Sequence, residues 1–331
     1  MNKKISFIIP AYNSSKTISN CILSLLSYRG DKEIIVIDDG STDQTQKIVA
    51  NYVEKYDCVK YFWKENSGVS ATRNFGIDVS SGDYLIFVDS DDQMIFGNFI
   101  ININYQNCLV IFGFKKNNNG RISKFNYWKI KNGYFKKNNF LKKYYFSRRY
   151  FYITNYIFGR LFIRKIIQNN KIYFNEKIHF GEDTLFLSEY IKHIKNIYIQ
   201  NEYTYLYNIN INSLSSKMKT SNDEYLDLIK KVYFNIGIET KLSEKFLLNN
   251  CLYSSYIFNE NNSNYFDDIP FVKKYKFITN YQKNPEKVLG KYIKRKNSSI
   301  NLSKIKLKIK ELLKEKKSIY GNRNYNNYRQ W

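Results

Sequence analysis

The sequence predicts an α/β protein with a mostly parallel sheet, and three observations predict it. Over the first hundred residues, short apolar runs of strand length alternate with segments of helical periodicity. Single helices between successive strands imply parallel pairing through right-handed crossovers. The polar clusters Pro10–Asn13, Asp38–Asp39 and Asp89–Asp92 each follow the C-terminal end of a strand, the edge where open α/β sheets bind ligands.

The elements follow in order. Ile5–Ile9 reads as a buried strand ended by Pro10, followed by the polar turn Ala11–Lys16. Thr17 is placed to cap a helix reaching about Leu26, with Ile18, Ile22 and Leu25 on one face. Glu33–Ile37 is the second strand, and Thr42 or Asp43 caps the helix carrying Ile48, Val49, Tyr52 and Val53. Val59–Trp63 is the third strand. Asn66–Gly76 is a loop entering a helix that ends near Val79, and Tyr84–Val88 is the fourth strand. Further on, Leu109–Phe114 and Ile197–Ile199 are strand-like. The aromatic residues from Tyr144 to Phe158 read as packing in preference to a sugar-stacking platform.

Composition narrows the class. A 331-residue chain with 43% hydrophobic and 18% aromatic residues buries a real core and is not disordered wholesale. Cys21, Cys58, Cys108 and Cys251 contain no Cys-x-x-Cys, which argues against a zinc ribbon or redox pair. Ile5–Pro10 is too short for a signal-peptide core, and no apolar run approaches a membrane span. The expected location is therefore cytoplasmic, in solution or peripheral on the inner face of the membrane. No Gly-x-Gly-x-x-Gly or phosphate-loop pattern follows a strand, which disfavours a dinucleotide oxidoreductase and a P-loop enzyme. The net charge is +24, yet residues 271–331, with 18 Lys or Arg and three Glu, supply +15 of it. That distribution argues against a nucleic-acid module. Within this segment Leu302, Ile305, Ile309, Leu312 and Leu313 share a helical stripe beside lysines. Such a helix suits an anionic membrane surface or packing on its own domain.

The chemistry concentrates where Tyr84–Val88 runs into Asp89, Asp91 and Asp92. If the chain stays extended, Asp89 and Asp91 point the same way. One Mn²⁺ or Mg²⁺ then touches both, or one, with phosphate oxygens completing the shell. An acidic turn facing solvent is the other reading of these residues alone.

Six segments then carry a resemblance. Phe7-Ile-Ile-Pro-Ala-Tyr-Asn13, Ile37-Asp-Asp-Gly-Ser-Thr-Asp43, Asn66-Ser-Gly-Val-Ser-Ala-Thr-Arg-Asn-Phe-Gly76 and Val88-Asp-Ser-Asp-Asp92 stand in order. Phe158–Arg164 and Phe180–Phe186 come after them. Together, over about residues 4–215, they resemble the blocks of glycosyltransferase family 2, which comprises inverting enzymes of the GT-A fold. The resemblance implies a Rossmann-like nucleotide-binding half (1–105) fused to an acceptor-binding half (106–220). A basic helical extension (221–331) completes the chain. It implies a metal-dependent transfer of a hexose from a nucleotide sugar, a UDP-sugar, to a glycan or lipid-linked acceptor in polysaccharide, lipopolysaccharide or capsule synthesis. By the same resemblance, Pro10, Ala11, Tyr12, Asn13, Asp38, Asp39, Asn66, Gly68, Arg73, Asp89 and Ser90 line the donor site. Asp39 accepts from a base N–H, with Asp38 as the inward-facing alternative, and Arg73 reaches the base or diphosphate. Asp91 and Asp89 hold the metal, Asp183 is the general base and Glu182 stands beside it. Asp92 is left to cap the next segment of the chain. Tyr203–Tyr207 and Asn212–Ser216 resemble a loop closing over the donor. The competing class is a non-enzymatic basic protein that binds nucleic acid or anionic glycans.

Overall fold

The computed structural model describes residues 3–96, 105–125, 130–145, 156–178 and 181–209, together with 228, 231–232 and 234–237. The chain divides into two compact units, Met1–Leu247 and Leu248–Trp331. Everything described lies in the first; the Leu302–Leu313 stripe and Asn212–Ser216 fall outside the described residues.

The expected parallel half is present. Strands β1 (Ile5–Ala11), β2 (Lys32–Asp39), β3 (Val59–Lys64) and β4 (Tyr84–Phe87) pair in parallel in the order β3-β2-β1-β4. They are joined by helices α1 (Ile18–Leu26), α2 (Thr45–Lys55) and α3 (Val69–Val79). Alternate residues feed two cores, as a sheet covered on both faces requires. Ile8, Ile35, Ile37, Leu85 and Phe87 pack toward Ile77 of α3. Phe7, Ile9, Ile34, Val36 and Ile86 share the other core with Ile18, Ile22 and Leu25 of α1. Helix α3 sits so close to β1 that a Cβ on Gly76 would lie 2.4 Å from Ile8 Cγ2.

Beyond β4 the sheet continues through β9 (Arg160–Ile163), antiparallel to both β4 and β6 (Cys108–Asn118). Strand β10 (Asn196–Asn208) lies parallel to β6 and carries β5 (Gln93–Met94) and β8 (Gly133–Lys136) as antiparallel partners. The hairpin partner of β6 is β7 (Arg121–Phe125). Short helices α4 (Lys137–Phe140) and α5 (Arg164–Asn169) precede α6 (Glu182–Lys192), which covers the sheet with Leu185, Phe186 and Leu187. Leu228, Val232 and Ile236 join the same core.

Four local expectations change. Pro10 does not end β1; it pairs in register with Ile37. Even-numbered β1 residues turn toward β4, as Val88 N donating to Ile8 O records, and β4 pairing stops at Ile8, so no ladder donor is lost at Pro10. Thr17 stands at the α1 N-cap position without a side-chain capping bond. Gln44 is the N-cap residue of α2, and Asp43 serves it from one position upstream, accepting from Thr45 N at 2.9 Å and Ser15 N at 3.0 Å. Finally, Tyr203–Tyr207 is strand, inside β10. Of the aromatic run, Tyr156 and Phe158 are described, and Phe158 stacks on Tyr205 and Tyr207 at 4.7 and 5.2 Å.

Glu33 on β2 is buried and serves as the fastener at the opposite end of the sheet. Ser6 Oγ donates to it at 2.6 Å, Lys60 Nζ at 2.7 Å, Ser81 N at 2.6 Å and Gly82 N at 3.1 Å. Burial pushes this carboxyl up, but the bonds from Lys60, Ser6 and Ser81 outweigh it and bring the pKa from 4.5 to about 2. A carboxylate depressed in the folded state stabilises above its unfolded pKa, and that stability fades as pH falls toward the folded value. Glu33→Gln is expected to cost about 3 kcal/mol at pH 7 and progressively less below pH 4.5. Urea unfolding of both proteins across that range checks it; a pH-independent difference would assign the effect to packing.

Candidate active site

The site is built from strand ends. After β4 the chain does not stay extended: Asp92 N donates to Asp89 O at 3.0 Å, closing a turn. The extended Asp89-x-Asp91 arrangement is therefore corrected to a turned one. The cause lies on β10, more than a hundred residues away. Tyr205 Oη donates to Asp92 Oδ2 at 2.7 Å and accepts from Asp89 N at 3.2 Å. Asn208 donates its backbone N–H to Asp92 Oδ1 at 2.7 Å and its amide to Asp91 O at 2.8 Å. Asp92, fully buried, is thus the anchor of the turn and caps nothing. Ser90 Oγ lies 2.8 Å from Ser14 Oγ, tying the turn to the segment after β1. Tyr205 and Asn208 were missed because β10 residues read as a loop; the alternating aromatics Tyr203, Tyr205 and Tyr207 were the available strand signal.

Arg73 joins the two halves. It is the fifth residue of α3, and its buried guanidinium donates from Nη2 to Asp89 Oδ1 at 3.0 Å and from Nη1 to Asp183 Oδ1 at 2.8 Å. Glu182 Oε1 lies 3.7 Å from the same Nη1, and the Phe174 ring lies 5.3 Å from the guanidinium carbon. Sequence reasoning aimed Arg73 at a nucleotide; the structure places it between carboxylates.

Asp183 is the second residue of α6. Gly181 at φ +80° is the N-cap, and a Cβ there would meet Leu228 Cδ2 at 2.2 Å. No side chain caps the helix, so Asp183 turns to Arg73, and its Oδ2 accepts from Ile157 N at 3.4 Å. Burial pushes Asp183 up, Arg73 pulls it down, and Glu182 and Asp89 push it further, to about 7. One cation facing three carboxylates leaves the cluster short of positive charge. Asp91 is pushed up to about 6 by burial and by Asp89.

The remaining sequence-predicted residues gather on the same edge. Asp39 is buried and salt-bridged to Lys64, and it accepts from Ser67 N and Gly68 N at 2.9 Å each. Burial alone would raise its pKa; these bonds, Lys64 first, lower it. Asn66 donates its amide to Asp39 O at 2.9 Å. Asp38 is turned inward, accepting from Tyr61 Oη at 2.8 Å and Ser41 N at 2.7 Å. Asn13, at φ +48°, accepts from Thr42 N at 2.8 Å. Ala11 is buried, while Tyr12 is 49% exposed at the rim. Gly68, at φ +89°, begins α3. Arg160 and Arg164 instead donate to backbone carbonyls, Arg160 to Gly159 O at 2.9 Å and Arg164 to Gly82 O at 2.6 Å. His179 lies outside the described residues, and His193 closes α6.

The fit of a divalent metal turns on this donor set. Among the described residues no group of three His, Cys, Asp or Glu is placed to hold an ion unaided. Asp89 and Asp91 offer hard oxygen donors in a cluster with excess negative charge, which suits Mg²⁺ or Mn²⁺ completed by phosphate oxygens.

A parallel nucleotide-type half-sheet continued by an antiparallel half, with an Asp-x-Asp turn at the junction, is the GT-A architecture of nucleotide-sugar enzymes. The chain belongs to glycosyltransferase family 2: the Glycosyl transferase family 2 model matches residues 6–194. The fold is also that of S. aureus TarS residues 1–349 in complex with UDP-GlcNAc. There the TM-score is 0.62 at 22% identity, covering 83% of this chain and 79% of that one. An uncharacterized glycosyltransferase of Escherichia coli, YibD, is 42% identical over 92 residues, 28% of this chain and 27% of its own. A poly(ribitol-phosphate) beta-glucosyltransferase of Bacillus spizizenii is 42% identical over 96 residues, 28% of this chain and 15% of its own. A GalNAc(5)-diNAcBac-PP-undecaprenol beta-1,3-glucosyltransferase of Campylobacter jejuni is 36% identical over 97 residues, 28% of this chain and 31% of its own. The matches thus span less than a third of each of these relatives.

Proposed function

We propose that this family 2 enzyme transfers a hexose, with inversion, from a UDP-sugar to a hydroxyl of a glycan or lipid-linked acceptor in cell-surface polysaccharide synthesis. The observation that carries the reading is the Arg73 guanidinium spanning Asp89 and Asp183. It sets the donor-side carboxylate and the proposed base on opposite sides of one rigid cation. An acceptor hydroxyl attacks the anomeric carbon while Asp183 takes its proton, and the bond from that carbon to the diphosphate oxygen breaks with the electron pair leaving on the nucleoside diphosphate. A carboxylate whose pKa is pushed toward 7 suits this work near neutral pH. Glu182, beside the same cation, orients the acceptor. Pro10, Ala11, Tyr12, Asn13, Asp39, Asn66, Gly68 and Ser90 line the nucleotide side, with Asp38 turned inward behind them. The Lys64–Asp39–Gly68 network fixes its loop, and the inward turn of Asp38 supports Asp39 as the base contact.

Asp91 and Asp89 are the proposed holders of Mn²⁺ or Mg²⁺. When bound, such an ion supplies Lewis-acid charge to the departing diphosphate. Calorimetry with a UDP-sugar is expected to register binding with Mn²⁺ and little with chelator; equal affinity in both removes the metal from the proposal.

Among the described residues no helix is long and apolar enough to cross a membrane. For residues 271–331 we keep the membrane-surface reading. The full chain is expected to sediment with anionic vesicles at low salt, and a chain truncated at Pro285 is not. Equal binding by both would assign the attachment elsewhere.

A further inference from the structure

Residues 172–176, between α5 and α6, form neither helix nor strand, and they lie outside every block read from the sequence. Helix α3 nevertheless holds them closely. Asn74 accepts from Phe174 N at 2.8 Å and donates to Phe174 O at 3.0 Å, pairing with that backbone as a neighbouring strand would. Its second amide N–H reaches Glu176 Oε1 at 2.9 Å. One turn further along α3, Asp78 accepts from Tyr173 Oη at 2.6 Å. Asn74 is buried, and a buried polar group whose hydrogen bonds are all made fixes one arrangement of the chain.

The backbone so fixed carries the buried ring of Phe174. That ring stacks on Phe186 of α6 with centroids 4.1 Å apart and planes at 7°. The guanidinium carbon of Arg73 lies 5.3 Å from its centroid. Phe186 stands three residues after Asp183, on the same side of α6. One ring therefore touches both the bridging cation and the helix that brings Asp183. The cation itself is held from one end. Nη1 and Nη2 donate to Asp183 and Asp89, while Nε is buried without a hydrogen-bond partner among the described residues. An aromatic face is a surface on which a guanidinium plane stacks, and it can set the tilt that the carboxylates leave open.

We infer that Phe174 is a positioning residue for transfer: pinned by Asn74, its ring sets the Arg73 guanidinium so that Asp89 and Asp183 are held at once. The inference rests on the transferase reading above. Phe174 acts through Arg73 and touches neither donor nor acceptor.

The experiment uses the full chain, Phe174→Leu and Phe162→Leu. Phe162 is buried in the same core and lies against the same Phe186 ring at 5.6 Å, but it makes no cation–ring contact among the described residues. Each substitution removes one buried ring from one core, so the loss of packing is common to both. Calorimetry with UDP-glucose, UDP-galactose and UDP-N-acetylglucosamine, with Mn²⁺ present, gives donor affinity and the fraction of intact sites. Single-turnover hydrolysis of the tightest-bound donor, water replacing the acceptor, gives the rate per intact site. Phe174→Leu is expected to bind donor within about threefold of the parent and to hydrolyse it at least about tenfold more slowly. A misplacement of about 1 Å costs up to about a hundredfold in rate. Phe162→Leu should lose as much in Tm yet keep the parent's rate within about threefold. Phe174→Met, nearer the parent in volume but without a ring face, should follow Phe174→Leu, and it replaces that variant if Phe174→Leu does not fold. Equal rates in the Phe174 and Phe162 variants overturn this inference alone, as does a loss of donor affinity as large as the loss of rate. No hydrolysis of any of these UDP-sugars by the parent overturns the transferase reading, and this inference with it.

Discussion

An Asp183→Asn variant is expected to bind the UDP-sugar as the parent does and to turn over at least about a hundredfold more slowly, the lower end of what a positioned base contributes. The substitution preserves shape and the possibility of a hydrogen bond from Arg73 Nη1, which lies 2.8 Å from Asp183 Oδ1 in the parent. What it removes is the capacity to accept a proton. Asp183 stands on α6 while the donor residues stand on the β1, β2 and β4 ends, so donor affinity and turnover should separate. In the parent, the product sugar should have the anomeric configuration opposite to the donor's. Calorimetry gives the first quantity, single-turnover kinetics the second and NMR of the product the third. Retained configuration, or loss of donor affinity equal to loss of rate, would sink the role given to Asp183.

Arg73→Gln is expected to have the largest effect on stability. Its guanidinium is buried and faces Asp89, Asp183 and Glu182. Removing one partner from a buried ionic cluster leaves uncompensated charge and costs about 3–5 kcal/mol. The pH dependence carries a sign. Asp183 is already pushed up to about 7 from 3.8 by burial, against Arg73, and without that cation it rises further. A carboxyl raised in the folded state penalises folding increasingly as pH climbs from its unfolded toward its folded pKa. The variant should therefore lose more stability than the parent as pH rises through about 7, so that the difference between the two is larger at pH 8 than at pH 5. Unfolding of parent and variant at both pH values measures this, and Arg73→Lys should restore part of the difference. A variant equally destabilised at both pH values would assign the loss to packing against Phe174.

The sequence made the parallel half of the fold legible because each of its strands is a local signal. An apolar β-branched run, a polar strand end and an amphipathic helix all fall within about twenty residues of one another. The GT-A half-sheet, the spans of α1 and α3, and the gathering of Pro10–Asn13, Asp38–Asp39 and Asp89–Asp92 on one edge were readable in this way. The antiparallel half was read less well: β9 and β10 owe their pairing to partners fifty to ninety residues away, and Tyr203–Tyr207 passed for a loop.

The candidate site divides along the same line. The sequence by itself singled out the residues proposed to carry the chemistry: Asp89, Asp91, Arg73, Glu182 and Asp183 are side chains with charge in recognisable local blocks. Only the tertiary structure decided how they are used. It bent Asp89–Asp92 into a turn because Tyr205 and Asn208 arrive from β10 to satisfy Asp92, and it closed Arg73 onto Asp183 across 110 positions. Hydrogen bonds and ion pairs at such separation leave no periodicity in the chain. They exist once two independently formed elements are packed side by side, and the burial created by that packing is what makes each of them strong.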